Sequence, residues 1–157
     1  MVEIHGASRV RRRGVSLVET ALAIPLLLLL VFGTLDLGRV LFGHLTLQHA
    51  VREAGRFAVT GRTLGGMRGD HPRLDSVLKI VVEDAVPFPL TTSDIHVSSR
   101  NGGAGSAGGP GDVVTISVKY PITLLTPMIG RLFREGRVVV EVASTFRNEF
   151  FPQTQWN

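Results

Sequence analysis

The sequence predicts an α+β fold in which one long N-terminal transmembrane helix continues into a small external domain. Residues 15–35 form an apolar run long enough to span a bilayer. Helical spacing of apolar residues continues from there to about residue 60. Two later segments alternate apolar and polar residues, which is typical of half-buried strands. The 157 residues therefore suffice for an anchor and one small domain.

A basic leader at residues 1–14 precedes the apolar run. Positive charge is enriched on the cytoplasmic side of transmembrane helices, so this leader predicts a cytoplasmic N-terminus and an external domain beyond about Asp36. The other basic residues are scattered without interleaved aromatic residues, so the net charge of +4 does not indicate nucleic-acid binding. The arginines clustered in the leader are better explained by contact with anionic lipid than by contact with nucleic acid. The orienting arginines are Arg9, Arg11, Arg12 and Arg13.

Two other interpretations of the apolar run remain open. A cleaved secretory signal would have a shorter apolar core and a small-residue cleavage site, neither of which the sequence shows. A core helix of a small domain is rarely apolar on every side. Pro25 predicts a local kink within the span. A transmembrane helix at 15–35 is therefore the favoured prediction.

Glu19 is the one charged residue in the run, and an acid inside a membrane commonly has a functional partner. It lies five residues after Gly14, which directly follows the basic cluster, and this order resembles the type IV prepilin motif. The resemblance implies that a prepilin peptidase cuts between Gly14 and Val15. It also implies that Glu19 neutralises the new amine of a neighbouring subunit, a pairing favourable only where water is excluded.

The resemblance extends along the helix. R-G-V-S-L-V-E-T-A-L-A-I-P-L-L-L-L-L-V-F-G-T-L-D-L-G-R (13–39), A-V-R-E-A-G-R-F-A-V-T-G (50–61) and T-F-R-N-E (145–149) are similar to the TadE-like family, the minor pilins or pseudopilins of tight-adherence (Tad/Flp) pili. Thr20 departs from the aromatic residue that often follows the glutamate. The implied partners are the prepilin peptidase, other Tad pilins and pseudopilins, the inner-membrane assembly platform and the lipid bilayer. The fold implied is pilin-like.

The segment 36–61 is predicted to continue the helix outside the membrane, ending at Gly61 and the Gly65-Gly66 pair. We expect most of its apolar stripe to pack on the chain's own sheet. The stripe consists of Leu37, Val40, Leu41, Leu47, Val51, Ala58 and Val59.

Residues 62–157 are predicted to form the external domain. Leu74–Val86 has helical spacing and ends before Pro87. Segments 95–99, 113–120 and 137–147 predict an antiparallel sheet of about three strands. The Gly-rich segment 101–111 predicts a flexible loop with too few side chains to pack. The apolar connector at 121–130 predicts a turn or short helix that caps the core, with an outer-leaflet or partner contact as the alternative.

No motif with a catalytic mechanism is present, so the sequence predicts a protein that is not an enzyme and needs no cofactor or metal. The absence of cysteine excludes thiol chemistry and cysteine-ligated metals. His44 and His49 are five apart, whereas a metal pair on one helical face needs a spacing of three or four.

The expected function is that of a minor pilin or pseudopilin, a structural or assembly subunit of a Tad-type pilus. We expect it in the bacterial inner membrane with a periplasmic C-terminal domain, or incorporated into an extracellular pilus. One alternative is an uncleaved membrane-anchored envelope protein that supports pilus assembly. Another is a tethered periplasmic domain that binds a ligand.

Overall fold

The computed structural model describes residues 7–67, 70–131 and 133–151, with side chains from Val15 onward and without that of Arg134. Its architecture is α+β, as predicted: a long helix, a second helix and an antiparallel sheet. The elements are α1 (Ala7–Val59), α2 (Pro72–Asp84), β1 (Ile95–Ser99), β2 (Gly103–Ala104), β3 (Val113–Thr123), α3 (Pro127–Gly130) and β4 (Arg137–Arg147).

Helix α1 is continuous over 53 residues, about 80 Å at 1.5 Å per residue. It continues through Pro25, whose missing N–H removes one helical hydrogen bond. It ends at Val59 because Gly61 adopts a φ of 70°, the left-handed conformation that commonly caps helices. The Gly61 N–H donates to the Ala58 carbonyl at 3.1 Å. The predicted continuation of the helix beyond the apolar run is therefore confirmed.

Helix α2 begins two residues before the predicted start, because a proline is well accommodated in the first turn of a helix. It ends at Asp84, shortly before Pro87 and Pro89. Its buried side chains are Arg73, Ser76, Val77 and Val81. The charged residues Lys79 and Glu83 lie on its exposed side and form an ion pair at 3.6 Å.

The sheet has the strand order β2-β1-β3-β4, and every pairing is antiparallel. Four strands replace the three predicted, since the two-residue β2 lies in the segment expected to be a loop without packing. Its sequence, Gly-Ala, has no preference for strands, and its pairing comes from the backbone. Gly103 lies opposite Ser99, and the N–H of Gly105 donates to the Val97 carbonyl at 2.8 Å.

Strand β3 runs on to Thr123, although Pro121 predicts a break after Tyr120. The β1 ladder ends at Val118, so β3 has an open edge on that side at Pro121. Proline is accommodated at such an edge because no neighbouring strand requires its missing N–H. On the other side β4 follows β3 over its whole length, from Val113 opposite Arg147 to Thr123 opposite Arg137.

The core lies between one face of the sheet and the two helices. The alternation predicted for the strands is confirmed, with every second residue of β3 buried from Val114 to Val118. Both helices supply small or branched side chains that are fully buried. They are Leu47, Ala50, Val51, Ala54 and Ala58 from α1, and Val77 and Val81 from α2, with Ala85 directly after α2.

Two glycines allow the sheet to approach α1 closely. The Phe146 ring occupies the place where a Cβ on Gly55 would lie. The Ile122 side chain does the same at Gly43. These contacts show how a helix with few large side chains on its inner face can bury the sheet's large ones.

Most of the extramembrane stripe packs against the core, as expected, but Leu37 and Leu41 do not. Leu37 and Leu41 are 60% and 54% exposed, and Leu45 is 63% exposed. The domain covers one side of α1, and these three residues, spaced four apart, lie on another side. Sequence periodicity identifies an apolar face, but it does not say which partner covers that face.

Candidate functional site

The predicted processing site lies near the start of α1. Gly14 and Val15 are consecutive residues within the continuous helix, and the Val15 side chain is exposed. The backbones of Arg9, Arg11, Arg12 and Arg13 belong to the same helix, while their side chains lie outside the described part of the chain.

Glu19 lies four residues after Val15 and is exposed. Residues at this spacing share one helical face, and helical side chains lean toward the N-terminus. Glu19 is therefore on the face of α1 that carries Val15, with its Cα about 6 Å further along the axis. The prepilin resemblance pairs Glu19 with the α-amino group of a neighbouring subunit, so this placement within one chain leaves that pairing a prediction.

Two threonine hydroxyls in the first half of α1 are satisfied within the helix. The Thr20 hydroxyl donates to the Ser16 carbonyl at 2.9 Å. The Thr34 hydroxyl donates to the Leu30 carbonyl at 2.8 Å. Such bonds remove the cost of exposing a hydroxyl to hydrocarbon, so both threonines are compatible with lipid.

The first half of α1 exposes almost all of its apolar surface. An 18-residue window has a mean hydropathy of 2.4, and no part of it is buried by the rest of the protein. A core helix of a soluble domain would be mostly covered, whereas Leu22, Leu26 and Leu30 are each at least 66% exposed. The long apolar helix indicates a single-pass membrane anchor.

Comparison with known families gives a result for this same segment. Residues 14–56 match the family model described as TadE-like protein. The chain carries a TadE-like domain. The match begins at Gly14 and covers nearly all of α1 beyond the leader, which confirms the family predicted from the sequence. No curated protein and no solved structure matches the chain.

A TadE-like domain supports a Tad pilus-associated protein, from a family of structural components of the pilus system. The TadE-like family implies association with other Tad pilus components. Within the described residues, no group of three His, Asp or Glu side chains could hold a metal ion. The TadE-like match ends before α2, so the external domain must be interpreted from its own structure.

Asp36 joins the TadE-like helix to the external domain. It is 2% exposed, and its two carboxylate oxygens accept the N–H groups of Leu125 and Thr126 at 2.7 and 2.9 Å. Burial alone would raise the pKa of Asp36, but these hydrogen bonds and the positive charge of Arg39 together lower it below its ordinary value. The Asp36 contact therefore fixes the 124–126 segment against α1.

Sequence analysis did not identify Asp36 as a structural residue. The signal that the sequence offered was its position as the first carboxylate after the long apolar run. Its partners are backbone N–H groups about 90 residues later in the chain, and backbone donors leave no mark in a sequence.

Arg73 lies at the end of the domain opposite Asp36 and connects three segments there. It is 4% exposed, and its guanidinium donates to the carbonyls of Gly108 and Ala58, the latter at 2.9 Å. The ring of Phe151 lies 4.7 Å from the guanidinium carbon. Burial lowers the pKa of Arg73 from its ordinary value. Arg73 thus ties the end of α1, the Gly-rich segment and the last described residue together.

The Gly-rich segment 101–111 borders a cleft of about 800 Å³ beside the start of α2. Its backbone is held by side chains from elsewhere: the Asn148 amide donates to the carbonyls of Ala107 and Gly109 at 3.1 and 2.9 Å. The Asp112 carboxylate accepts the N–H of Asn101 at 3.3 Å, in this segment, and that of Val113 at 2.8 Å. These polar side chains bind backbone groups of the protein itself, which indicates a structural role for them.

Proposed function

We propose that this chain is a minor pilin or pseudopilin of a Tad-type pilus, a non-enzymatic subunit that acts in assembly. The observation that carries the proposal is the TadE-like α1 helix, which is bare and apolar over its first half and covered by a small α+β domain over its second half. A helix of this kind can exchange a lipid environment for the apolar surfaces of neighbouring helices while the domain stays folded.

The proposed orientation has the N-terminus in the cytoplasm and the sheet domain in the periplasm. The support is the asymmetry of charge across the span: four arginines before it, and Asp36 with Arg39 directly after it. Asp36 is neutralised locally, since its carboxylate lies 3.9 Å from the Arg39 guanidinium. The strong positive flank is therefore the leader.

Processing by a prepilin peptidase would cut between Gly14 and Val15. Cleavage removes the arginines that hold the leader at the cytoplasmic face and leaves an α-amino group at the start of α1. Gly14 favours access to this bond, because a glycine within a helix weakens it by about 1 kcal/mol relative to alanine. The new amine would lie on the face of α1 that carries Glu19.

The proposed role of Glu19 is to neutralise the amine of a neighbouring subunit in a site from which water is excluded. In such a site an unpaired carboxylate costs several kcal/mol, so the pair also selects the register between the two helices. Partners would be related pseudopilins, the major pilin and the inner-membrane assembly platform.

A further surface supports packing against other subunits. Leu37, Leu41 and Leu45 form an exposed apolar row on α1 beyond the predicted span, on a side that the domain does not cover. Apolar rows of this length on a helix outside lipid commonly mark a protein contact. A second α1 helix alongside would cover the row and the lipid-facing leucines together.

The processing step is tested by the intact mass of the membrane-extracted protein. The expected mature chain begins at Val15 in the wild type and retains Arg9 to Arg13 in a Gly14→Leu variant. Gly38→Ala is the matched control, because it changes another glycine of α1 with open space around it. A wild-type protein that keeps its leader would support the uncleaved envelope anchor instead.

The assembly role of Glu19 is tested by counting pili. Glu19→Ala should reduce pilus number strongly, and Glu19→Asp should restore part of it because the charge is kept. Glu53→Ala is the control: Glu53 is also on α1, and its ion pair with Arg56 at 3.5 Å lies on the surface. Pilus numbers that are the same for Glu19→Ala and wild type would contradict the pairing role.

A further inference from the structure

The segment between β3 and β4 contacts the membrane helix directly. We call residues 124–131 and Phe133 the α3 connector. The Ile129 side chain lies 3.1 Å from the place where a Cβ on Gly33 would be. The Leu125 and Thr126 N–H groups bind the Asp36 carboxylate. The connector is thus fixed against α1 between Gly33 and Asp36.

The position of this contact along α1 can be compared with the thickness of a bilayer. From Val15 to Gly33 α1 rises about 27 Å at 1.5 Å per residue. The hydrocarbon core of a bilayer is about 30 Å thick. If Val15 lies at one boundary of the hydrocarbon, Gly33 lies just inside the other, and the connector meets α1 where acyl chains give way to headgroups.

The connector exposes large apolar side chains at this height. Leu125 is 54%, Met128 69% and Phe133 45% exposed. The core-capping role expected from the sequence therefore applies to only part of the connector, since Ile129 is half-buried against α1 and these three side chains are not covered by the domain. Their surface adjoins the lipid-exposed surface of α1.

Positive charge surrounds the connector. Arg39 donates to the Thr123 carbonyl at 3.2 Å, directly before the connector, and Arg137 is paired with Thr123 in the sheet. Arg131 follows α3 and is exposed. Among the described residues nearby, Glu135 is the exposed acid. Arginines beside exposed apolar side chains are typical of segments that lie at an anionic membrane surface.

We propose that the α3 connector is a second membrane contact, which rests on the lipid leaflet on the domain side of the bilayer. Leu125, Met128 and Phe133 enter the boundary between headgroups and acyl chains, and Arg131 and Arg137 face lipid phosphates. The contact holds the domain at a fixed angle and height on α1. The inference rests on α1 as a membrane span, which the proposed function also requires, and is independent of cleavage and of filament assembly.

The test uses the full chain, which has no cysteine, reconstituted in vesicles containing phosphatidylglycerol. Single cysteines carry a nitroxide at Met128→Cys, Phe150→Cys and Leu26→Cys. Phe150 is the matched control, an apolar residue 86% exposed whose neighbour Glu149 binds the Val59 carbonyl at the far end of α1. Leu26 is the reference within the span. Collision rates with oxygen and with an aqueous nickel chelate report depth at each site.

The ratio of oxygen to nickel collisions at position 128 should be well above that at position 150 and below that at position 26, because Leu26 lies about 16 Å along α1 from Val15, near the middle of the bilayer. A ratio at 128 equal to that at 150, with 26 in lipid, overturns the connector contact alone. Water exposure at 26 overturns the span, and the proposed function with it. A 128 label shielded from both reagents and broadened by a second copy assigns the connector to a protein interface, which also overturns the proposal.

The charge contribution is tested separately. Replacing Arg131 and Arg137 by glutamate should move the label at 128 toward water in phosphatidylglycerol vesicles and leave the label at 26 where it is. An unchanged depth at 128 would overturn the role of the arginines.

Discussion

Both halves of α1 are rich in leucine, valine and alanine, but their environments are opposite. Leu27, in the first half, is 60% exposed, whereas Leu47, in the second half, is fully buried against the sheet. Residues 26–32 of the first half are uniformly large and apolar, whereas the second half intersperses large residues with Ala50, Ala54 and Gly55. Large side chains suit fluid lipid, which adapts to any shape, and small ones suit a sheet with side chains of its own. The difference shows that side-chain size, as well as hydrophobicity, distinguishes the two surfaces.

The largest expected effect contrasts these two leucines. Leu47→Ala should lower the free energy of unfolding of the domain by about 2–5 kcal/mol, since it opens a cavity in a packed core. Leu27→Ala should leave that free energy unchanged, because no domain side chain covers it. Urea denaturation of the full chain in detergent, followed by circular dichroism, measures both. Equal losses for the two variants would mean that the halves do not differ as described.

A smaller effect contrasts two glycines of α1. Gly55→Ala should destabilise the domain by about 1–3 kcal/mol, because the new methyl group displaces the Phe146 ring. Gly38→Ala should be neutral or stabilising by up to about 1 kcal/mol, since nothing lies within 4 Å of its Cβ position. The same denaturation experiment reports the two values. A stabilised Gly55→Ala variant would contradict the close approach of β4.

Asp36, at the junction of the halves, predicts a pH dependence. Its pKa is lowered in the folded protein, so its contribution is complete above its ordinary value of 3.8 and is lost as the pH falls through the lowered value. Asp36→Ala should cost about 1–3 kcal/mol at pH 7, because two buried N–H groups lose their acceptor.

Hydrogen exchange of the Leu125–Thr126 amides measures this contribution locally. The wild type should lose protection of these amides in acid, and Asp36→Ala should lack it at every pH. Asp94→Asn is the control, since Asp94 also has a lowered pKa, caused by hydrogen bonds from the Thr91 hydroxyl and backbone N–H, but lies directly before β1 and away from the connector. Protection that is independent of pH in the wild type would contradict the role of Asp36.

The smallest effect is expected on the outer face of the sheet. Lys119 and Glu141 lie opposite each other on β3 and β4 with Nζ and Oε1 3.1 Å apart, and both are about half exposed. Lys119→Ala should cost at most about 1 kcal/mol and less in high salt. A loss as large as that of Leu47→Ala would show that stability does not come mainly from the helix-facing side.

Much of the fold could be predicted because it depends on local patterns. The length and uniformity of 15–35 indicated a helix suited to lipid, and alternation in 113–120 and 137–147 indicated the two long strands. β2 could not be predicted, since its pairing uses backbone groups of Gly103 and Ala104. For the same reason the Gly-rich segment was expected to lack packing, although Ala107 is 7% exposed.

The processing residues were predicted from their spacing in the sequence, whereas the roles of Asp36 and Arg73 were identified only in the structure. Gly14, Val15 and Glu19 are close in sequence, and their placement on α1 leaves their roles as predictions. Asp36 and Arg73 act on backbone carbonyls and N–H groups from distant segments. A single sequence records neither contact.

By itself, the sequence determined the apolar span, its basic flank, the TadE-like match and the periodicity of the main helices and strands, because each depends on neighbouring residues in the chain. Only the tertiary structure decided which side of α1 the sheet covers, which leucines remain bare and where the α3 connector meets the helix. These depend on contacts between segments up to about 90 residues apart in the chain, and such contacts form only when the chain folds.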